Sequence, residues 1–172
     1  MNLILAVSEN NVIGNDLEIP WDLKTDRAFF REKVKDKTVI LGTNTLRSFK
    51  TKNGYFKPGK LNIVISKTLK EVPDGFILST SVEDALRVDY NLFCIGGAKL
   101  YNYCLENLRD QIDYIYLTRV LVKTVGNCRV NLNLEDFEIT TSETFKENNL
   151  TYNIREYKNV RKFLRRDNQQ NL

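Results

Sequence analysis

The apolar run "VILG" at 39–42 stops at a glycine and passes at once into "TNTLRSF", which has helical spacing. The run "LFCI" at 92–95 does the same through "GGAKLY". A buried strand that ends in glycine and turns straight into a helix is the repeating unit of a parallel α/β sheet. The remaining apolar segments fit that frame. "NLILAVS" (2–8) and "LNIVIS" (61–66) read as buried strands, and "IDYIYLTRV" (112–120) alternates as a strand does. Helical patterns lie at 23–35 and 81–88, the second with Ser81 as N-cap and Asp84 three residues on. "FEITTSETFKENNLTYNIREYK" (137–158) reads as a hairpin turning at "KENN". The expected fold is α/β, a largely parallel sheet flanked by helices with an antiparallel hairpin at its edge. One domain is expected over 1–158. The stretch from 159 to 172 is basic and then polar, and reads as a solvated tail or frayed helix, with docking as the alternative.

Composition narrows the chemistry. The chain has no histidine, which excludes Ser-His and Cys-His nucleophilic mechanisms. Its three cysteines, Cys94, Cys104 and Cys128, have no paired metal spacing, so no metal site is expected, and their odd number points to reduced thiols in the cytoplasm. No run is long enough to span a membrane, and a net charge of +4 does not require nucleic acid. Chemistry must then come from carboxylates, hydroxyls, backbone groups and a borrowed cofactor.

Ligands of open α/β sheets bind beyond the C-terminal strand ends. Gly42 before Thr43, Asn44 and Thr45, and Gly96-Gly97 before Ala98, Lys99 and Leu100, place two helix N-termini there. Free backbone N–H groups at such ends suit phosphates. "GGAKLY" lacks the third glycine of the G-x-G-x-x-G fingerprint, so a standard Rossmann domain is disfavoured. The helix at 23–35 sets a further question. Leu23, Phe30 and Val34 form an apolar stripe, and Asp26 sits at its edge. One reading is a solvated acid favoured by the helix dipole. The other is a carboxylate in an apolar pocket, able to hold a proton or pair with a fork of ring N–H donors.

In order and spacing, "AVSENNVIG" (6–14), "IPWDLKTDRAFF" (19–30), "VILGTNT" (39–45), "PGKLNIVIS" (58–66), "IGGAKLY" (95–101) and "IYLTRV" (115–120) resemble the dihydrofolate reductase family. The resemblance implies NADPH-dependent reduction of 7,8-dihydrofolate to tetrahydrofolate, with hydride to C6 and a proton to N5. The alternatives are a same-fold reductase of another pterin or pyrimidine, and a non-catalytic pterin- or dinucleotide-binding component. It implies that Asp26 is the active-site acid, hydrogen-bonded by Thr118, with Trp21 beside it holding an ordered water.

Ile4, Leu5, Phe30, Phe49, Ile95 and Tyr101 would line the substrate pocket. Ala6, Ile13, Gly14, Ile19, Gly42, Thr43, Asn44, Thr45, Ile65, Ser66, Lys67, Gly96, Gly97, Ala98, Lys99 and Leu100 would hold the cofactor. The residues from Gly14 to Ile19 would form a mobile flap, and Gly96-Gly97 a cis peptide. The chain also departs from the family. Lys60 replaces the arginine that clamps the folate tail, and Lys57 and Arg27 replace apolar residues. Sharing of the tail carboxylates by Arg27, Lys57 and Lys60 is expected, against solvated surface charges. Thr43 replaces a basic residue near the cofactor's 2′-phosphate, a role that Lys67 or Lys99 could take. Asn127, in "GNC", replaces the acid that helps hold the flap. A cytoplasmic monomer is expected.

Overall fold

The computed structural model describes residues 1–162. Strand β1 (Asn2–Ser8) leads to the short β2 (Val12–Gly14) and helix α1 (Lys24–Val34). β3 (Thr38–Gly42) passes straight into α2 (Thr43–Ser48), and a two-residue ladder, β4 (Lys50–Thr51) with β5 (Gly54–Tyr55), follows. Next come β6 (Leu61–Ile65), β7 (Ile77–Ser79), α3 (Val82–Val88), β8 (Phe93–Cys94) and α4 (Ala98–Asn107). The chain continues with β9 (Tyr114–Val120), β10 (Cys128–Arg129), and the hairpin β11 (Phe137–Glu147) with β12 (Leu150–Asn159). No helix among the described residues is long and apolar enough to cross a membrane.

The main sheet has eight strands in the order β11-β12-β9-β1-β8-β3-β6-β7. From β9 to β7 every neighbouring pair runs parallel, and the hairpin closes one edge antiparallel. Strand side chains alternate between faces, so both faces bury apolar groups. Leu3, Leu5 and Val7 of β1 pack with Ala85, Leu100 and Leu105 of α3 and α4 on one face. Ile4, Val39, Leu41 and Val64 pack with Val34 of α1 and Leu46 of α2 on the other.

Four local features go beyond the sequence reading. β7 had no strand signal, because a three-residue, half-exposed edge strand shows too little alternation. The loop at 50–60 contains the β4–β5 ladder. In the hairpin only Asn148 and Asn149 form the turn; both have positive φ, which asparagine tolerates, while Lys146 and Glu147 stay in the ladder. The segment after β1 contains β2, paired with β10. Leu17 and Ile19, within the expected flap, are 47% and 65% exposed.

Strand β12 runs one residue past the expected boundary at 158. Asn159 is the last residue of β12, is buried, and donates through Nδ2 to the Ile112 carbonyl at 3.0 Å. Lys162 Nζ reaches Asp113 at 2.8 Å, so the chain stays docked through Lys162. The rest of the expected tail, 163–172, lies outside the described residues.

Candidate active site

Helix α1 begins without help from its own sequence. Leu23 occupies the N-cap and has no side-chain acceptor. Glu147 of β11 supplies one, 123 residues from Lys24: its carboxylate accepts the Lys24 N–H at 2.6 Å and the Thr25 N–H at 3.3 Å. The bond from the Lys24 backbone holds the Glu147 carboxyl below its usual range. Tyr152 Oη donates to the same carboxylate at 3.1 Å.

This capped first turn carries Asp26 inward. Thr118 of β9 is buried and stands opposite Ala6 of β1 in the parallel ladder, so the sheet register sets its position. Its Oγ1 donates to Asp26 Oδ1 at 2.6 Å. Burial pushes the Asp26 carboxyl up, the Thr118 hydrogen bond pulls against this, and the charge of Glu147 adds to the rise. The net direction is upward, as the pocket reading of Asp26 requires. Trp21 packs nearby in the cluster of Leu23, Val120, Tyr152 and Ile154. Its buried indole Nε1 has no hydrogen-bond partner among the described residues. A buried N–H of this kind is a ready donor for an ordered water.

From Asp26 a cavity of about 1020 Å³ runs along the C-terminal ends of the parallel strands. Of the residues expected at the substrate, Ile4, Leu5, Arg27, Phe30, Phe49, Ile95 and Tyr101 lie on its wall. Every residue expected on the cofactor side, from Ala6 to Leu100, also lies on the wall. Gly42 and Gly97 are the N-caps of α2 and α4, and neither helix start has a side-chain cap. The Gly96-Gly97 peptide is cis, and the Gly96 carbonyl accepts the Gly42 N–H at 2.7 Å. Gly96 has φ +117°, and a Cβ there would come within 3.2 Å of the Tyr101 ring. Tyr101 in turn donates to the Ile4 carbonyl at 2.6 Å, tying α4 to β1 beneath the site. Open helix starts and close-packed glycines suit a phosphate-bearing dinucleotide.

Four expected residues lie off the wall. Thr118 and Trp21 stand behind Asp26. Lys57 lies with its side-chain end against Gly75, and Lys60 is exposed with its N–H bonded to the Lys37 carbonyl at 2.9 Å. The structure does not bring these two lysines to the cavity beside Arg27. Arg27 is ion-paired with Asp22 and still lines the wall.

The sequence reading missed Arg31, also on the wall. Its position four residues after Arg27, on the same helical face, was the available signal. It missed Phe56, whose ring meets Phe49 edge-on at 5.4 Å, because loop aromatics carry no periodic signal. Ser81, Glu83 and Tyr103 form a far wall that only the fold assembles.

The loop expected to act as the flap is joined to Asn127 by two hydrogen bonds. The Asp16 N–H donates to Asn127 Oδ1 at 2.8 Å, and Asn127 Nδ2 donates to Asp16 Oδ1 at 2.8 Å. The missing acid is thus offset by a carboxylate on the flap itself. Cys128 pairs with Gly14 in the β2–β10 ladder and anchors the same loop.

The family model for dihydrofolate reductase matches residues 1–159. A dihydrofolate reductase of Haemophilus influenzae is 36% identical over 146 residues, covering 83% of this chain and 86% of the relative. One from Buchnera aphidicola is 36% identical over 131 residues, covering 74% and 76%. Among solved structures, the Enterococcus faecalis dihydrofolate reductase complexed with NADP(H) and a propyl-bearing ligand superposes with a TM-score of 0.80. It is 21% identical and covers 91% of this chain and 94% of its own.

Proposed function

Since this chain belongs to the dihydrofolate reductase family and is an NADPH-dependent oxidoreductase acting on dihydrofolate, we propose that Asp26 grips the pterin and governs its protonation. The observation that carries this reading is a carboxylate that burial raises, held at 2.6 Å by Thr118, at one end of a dinucleotide-sized cavity.

Thr118 occupies one lone pair of Oδ1. The remaining acceptor sites of Asp26 suit two parallel donors, the N3–H and 2-amino group of a pterin, in a bidentate pair. Ile4, Leu5, Phe30 and Ile95 supply apolar surface for the ring and keep water from its faces. NADPH, when bound, would supply the hydride for C6. Protonation at N5 creates positive charge on the ring, and the nearby Asp26 carboxylate stabilises it. The buried Trp21 Nε1 offers the donor that positions a proton-carrying water beside the acid. The helix starts at Gly42 and Gly97, with the hydroxyls of Thr43 and Thr45, suit the cofactor's diphosphate. Phe49 and Phe56 suit the benzoyl ring, and Arg27 and Arg31 suit the carboxylates of the glutamate tail. Lys57 and Lys60, away from the wall, act as surface charges in this reading.

The described residues form one domain, and we read it as a cytoplasmic monomer that works without nucleic acid. Its continuous eight-stranded sheet, three free thiols and modest net charge support this organisation.

The test is the loss of NADPH absorbance on adding dihydrofolate, run beside Asp26→Asn. The variant is expected to lose about 10²-fold or more in kcat, the scale of a positioned acid–base group, while NADPH affinity stays within about twofold. Unchanged turnover in Asp26→Asn would overturn the assignment.

A further inference from the structure

The sheet order assigns each part of the cofactor to a stretch of wall. Asp26 places the pterin beside β1 and β9. Hydride passes between adjoining rings, so the nicotinamide lies next to it. The two helix starts that suit the diphosphate follow β8 and β3, the next strands in order. The adenosine would then fall over the last two strands, β6 and β7. The wall there is made by Ser66 and Lys67 after β6, Ser81 and Glu83 after β7, and Tyr103 from α4.

This end carries charges of both signs. Thr43 and Asn44, which lead towards it, are neutral. Lys67 is exposed and free to meet an anion. Glu83 is half-buried and brings a negative charge to the same end. Its carboxylate is held in place: Tyr103 Oη donates to Oε1 at 2.5 Å, joining α4 to α3. The neighbouring Asp84 is occupied elsewhere, accepting from Ser81 Oγ at 2.8 Å and from Arg87 at 2.9 Å. Glu83 Oε2 has no partner among the described residues and remains available to a ligand.

We infer that Glu83, fixed by Tyr103, accepts a hydrogen bond from the cofactor ribose and opposes Lys67, so that the enzyme uses NADH as well as NADPH with a reduced preference between them. A ribose 2′-hydroxyl donates to a carboxylate, whereas a 2′-phosphate has only acceptor oxygens and is repelled by it. Lys67 acts in the opposite sense, attracting the phosphate as a point charge. The two side chains set the ratio between cofactors without touching the reacting rings. This inference rests on the NADPH reading above.

The experiment measures kcat/KM for NADPH and for NADH in wild type, Glu83→Gln and Lys67→Ala. In parallel, the free enzymes are titrated calorimetrically with 2′,5′-ADP and 5′-ADP, which differ only in the 2′-phosphate. Gln keeps the acceptor for Tyr103 and removes the charge, so folding is preserved. Glu83→Gln is expected to raise the NADPH-to-NADH ratio about tenfold and to tighten 2′,5′-ADP relative to 5′-ADP by a similar factor. Lys67→Ala is expected to lower both ratios about tenfold. Ratios within twofold of wild type in Glu83→Gln, in both measurements, overturn the inference. Absence of NADPH turnover in wild type contradicts the earlier reading instead, and the calorimetric ratios then decide this one alone.

Discussion

At Asp26, burial pushes the carboxyl above its ordinary range, and the Thr118 hydrogen bond recovers only part of the cost. An acid raised by folding stabilises the protein only in its neutral form. That contribution is fully present below the unfolded pKa of about 3.9, and it is lost as pH rises through the higher folded value. At neutral pH the ionised Asp26 therefore works against folding. Asp26→Asn, which keeps an acceptor for Thr118 Oγ1, is expected to raise Tm at pH 7 while it removes turnover. The gain shrinks towards zero below about pH 3.9. Thermal unfolding of both proteins across this range checks the sign, and a lower Tm for the variant at pH 7 would contradict it. Asp26 was legible because it broke the polarity pattern of an amphipathic helix. Lys57 and Lys60 were misplaced because a residue's position in a motif does not fix where a long side chain in a loop points.

The elements around the site are held by contacts between distant parts of the chain. Glu147 caps α1 from the hairpin, and its carboxyl is held below its usual range by the Lys24 backbone N–H. Its stabilising effect is present above the unfolded pKa and is lost as pH falls through the lower folded value. Glu147→Gln is expected to lower Tm at neutral pH. Because the charge of Glu147 also pushes Asp26 up, the same change is expected to lower the apparent pKa of Asp26 in rate profiles. Opposite movement of that pKa would contradict the assignment. The flap clasp makes a separate prediction. Asn127→Ala removes two hydrogen bonds to Asp16, and each is worth about 0.5 kcal/mol at such an exposed site. The combined loss corresponds to roughly fivefold weaker NADPH binding, read by calorimetric titration. Asn127→Asp restores the family's acid, yet it sets a second carboxylate against Asp16 and is expected to bind no better than Asn127→Ala. Tighter binding by Asn127→Asp would contradict the clasp. None of these pairs was legible, since cap and clasp partners lie more than 100 residues apart and no local pattern links them.

At the scale of the molecule, the parallel order from β9 to β7 gathers all the strand ends that carry the site along one edge. The sequence made this order inferable because buried parallel strands are continuous apolar runs and each closes in glycine or a polar turn. It did not reveal the far wall of Ser81, Glu83 and Tyr103, which exists only once β7 joins β6. On the proposed reading, the half-buried Asp26 carboxyl controls protonation of the bound pterin. The most direct test is the single-turnover rate of hydride transfer from NADPH to dihydrofolate, measured against pH in wild type and Asp26→Asn. The wild-type rate is expected to inflect at a pH above the ordinary carboxylate value of about 3.9, and the inflection to disappear or shift by about a unit or more in the variant, with a rate lower by about 10²-fold. An identical inflection and an undiminished rate in Asp26→Asn would contradict it.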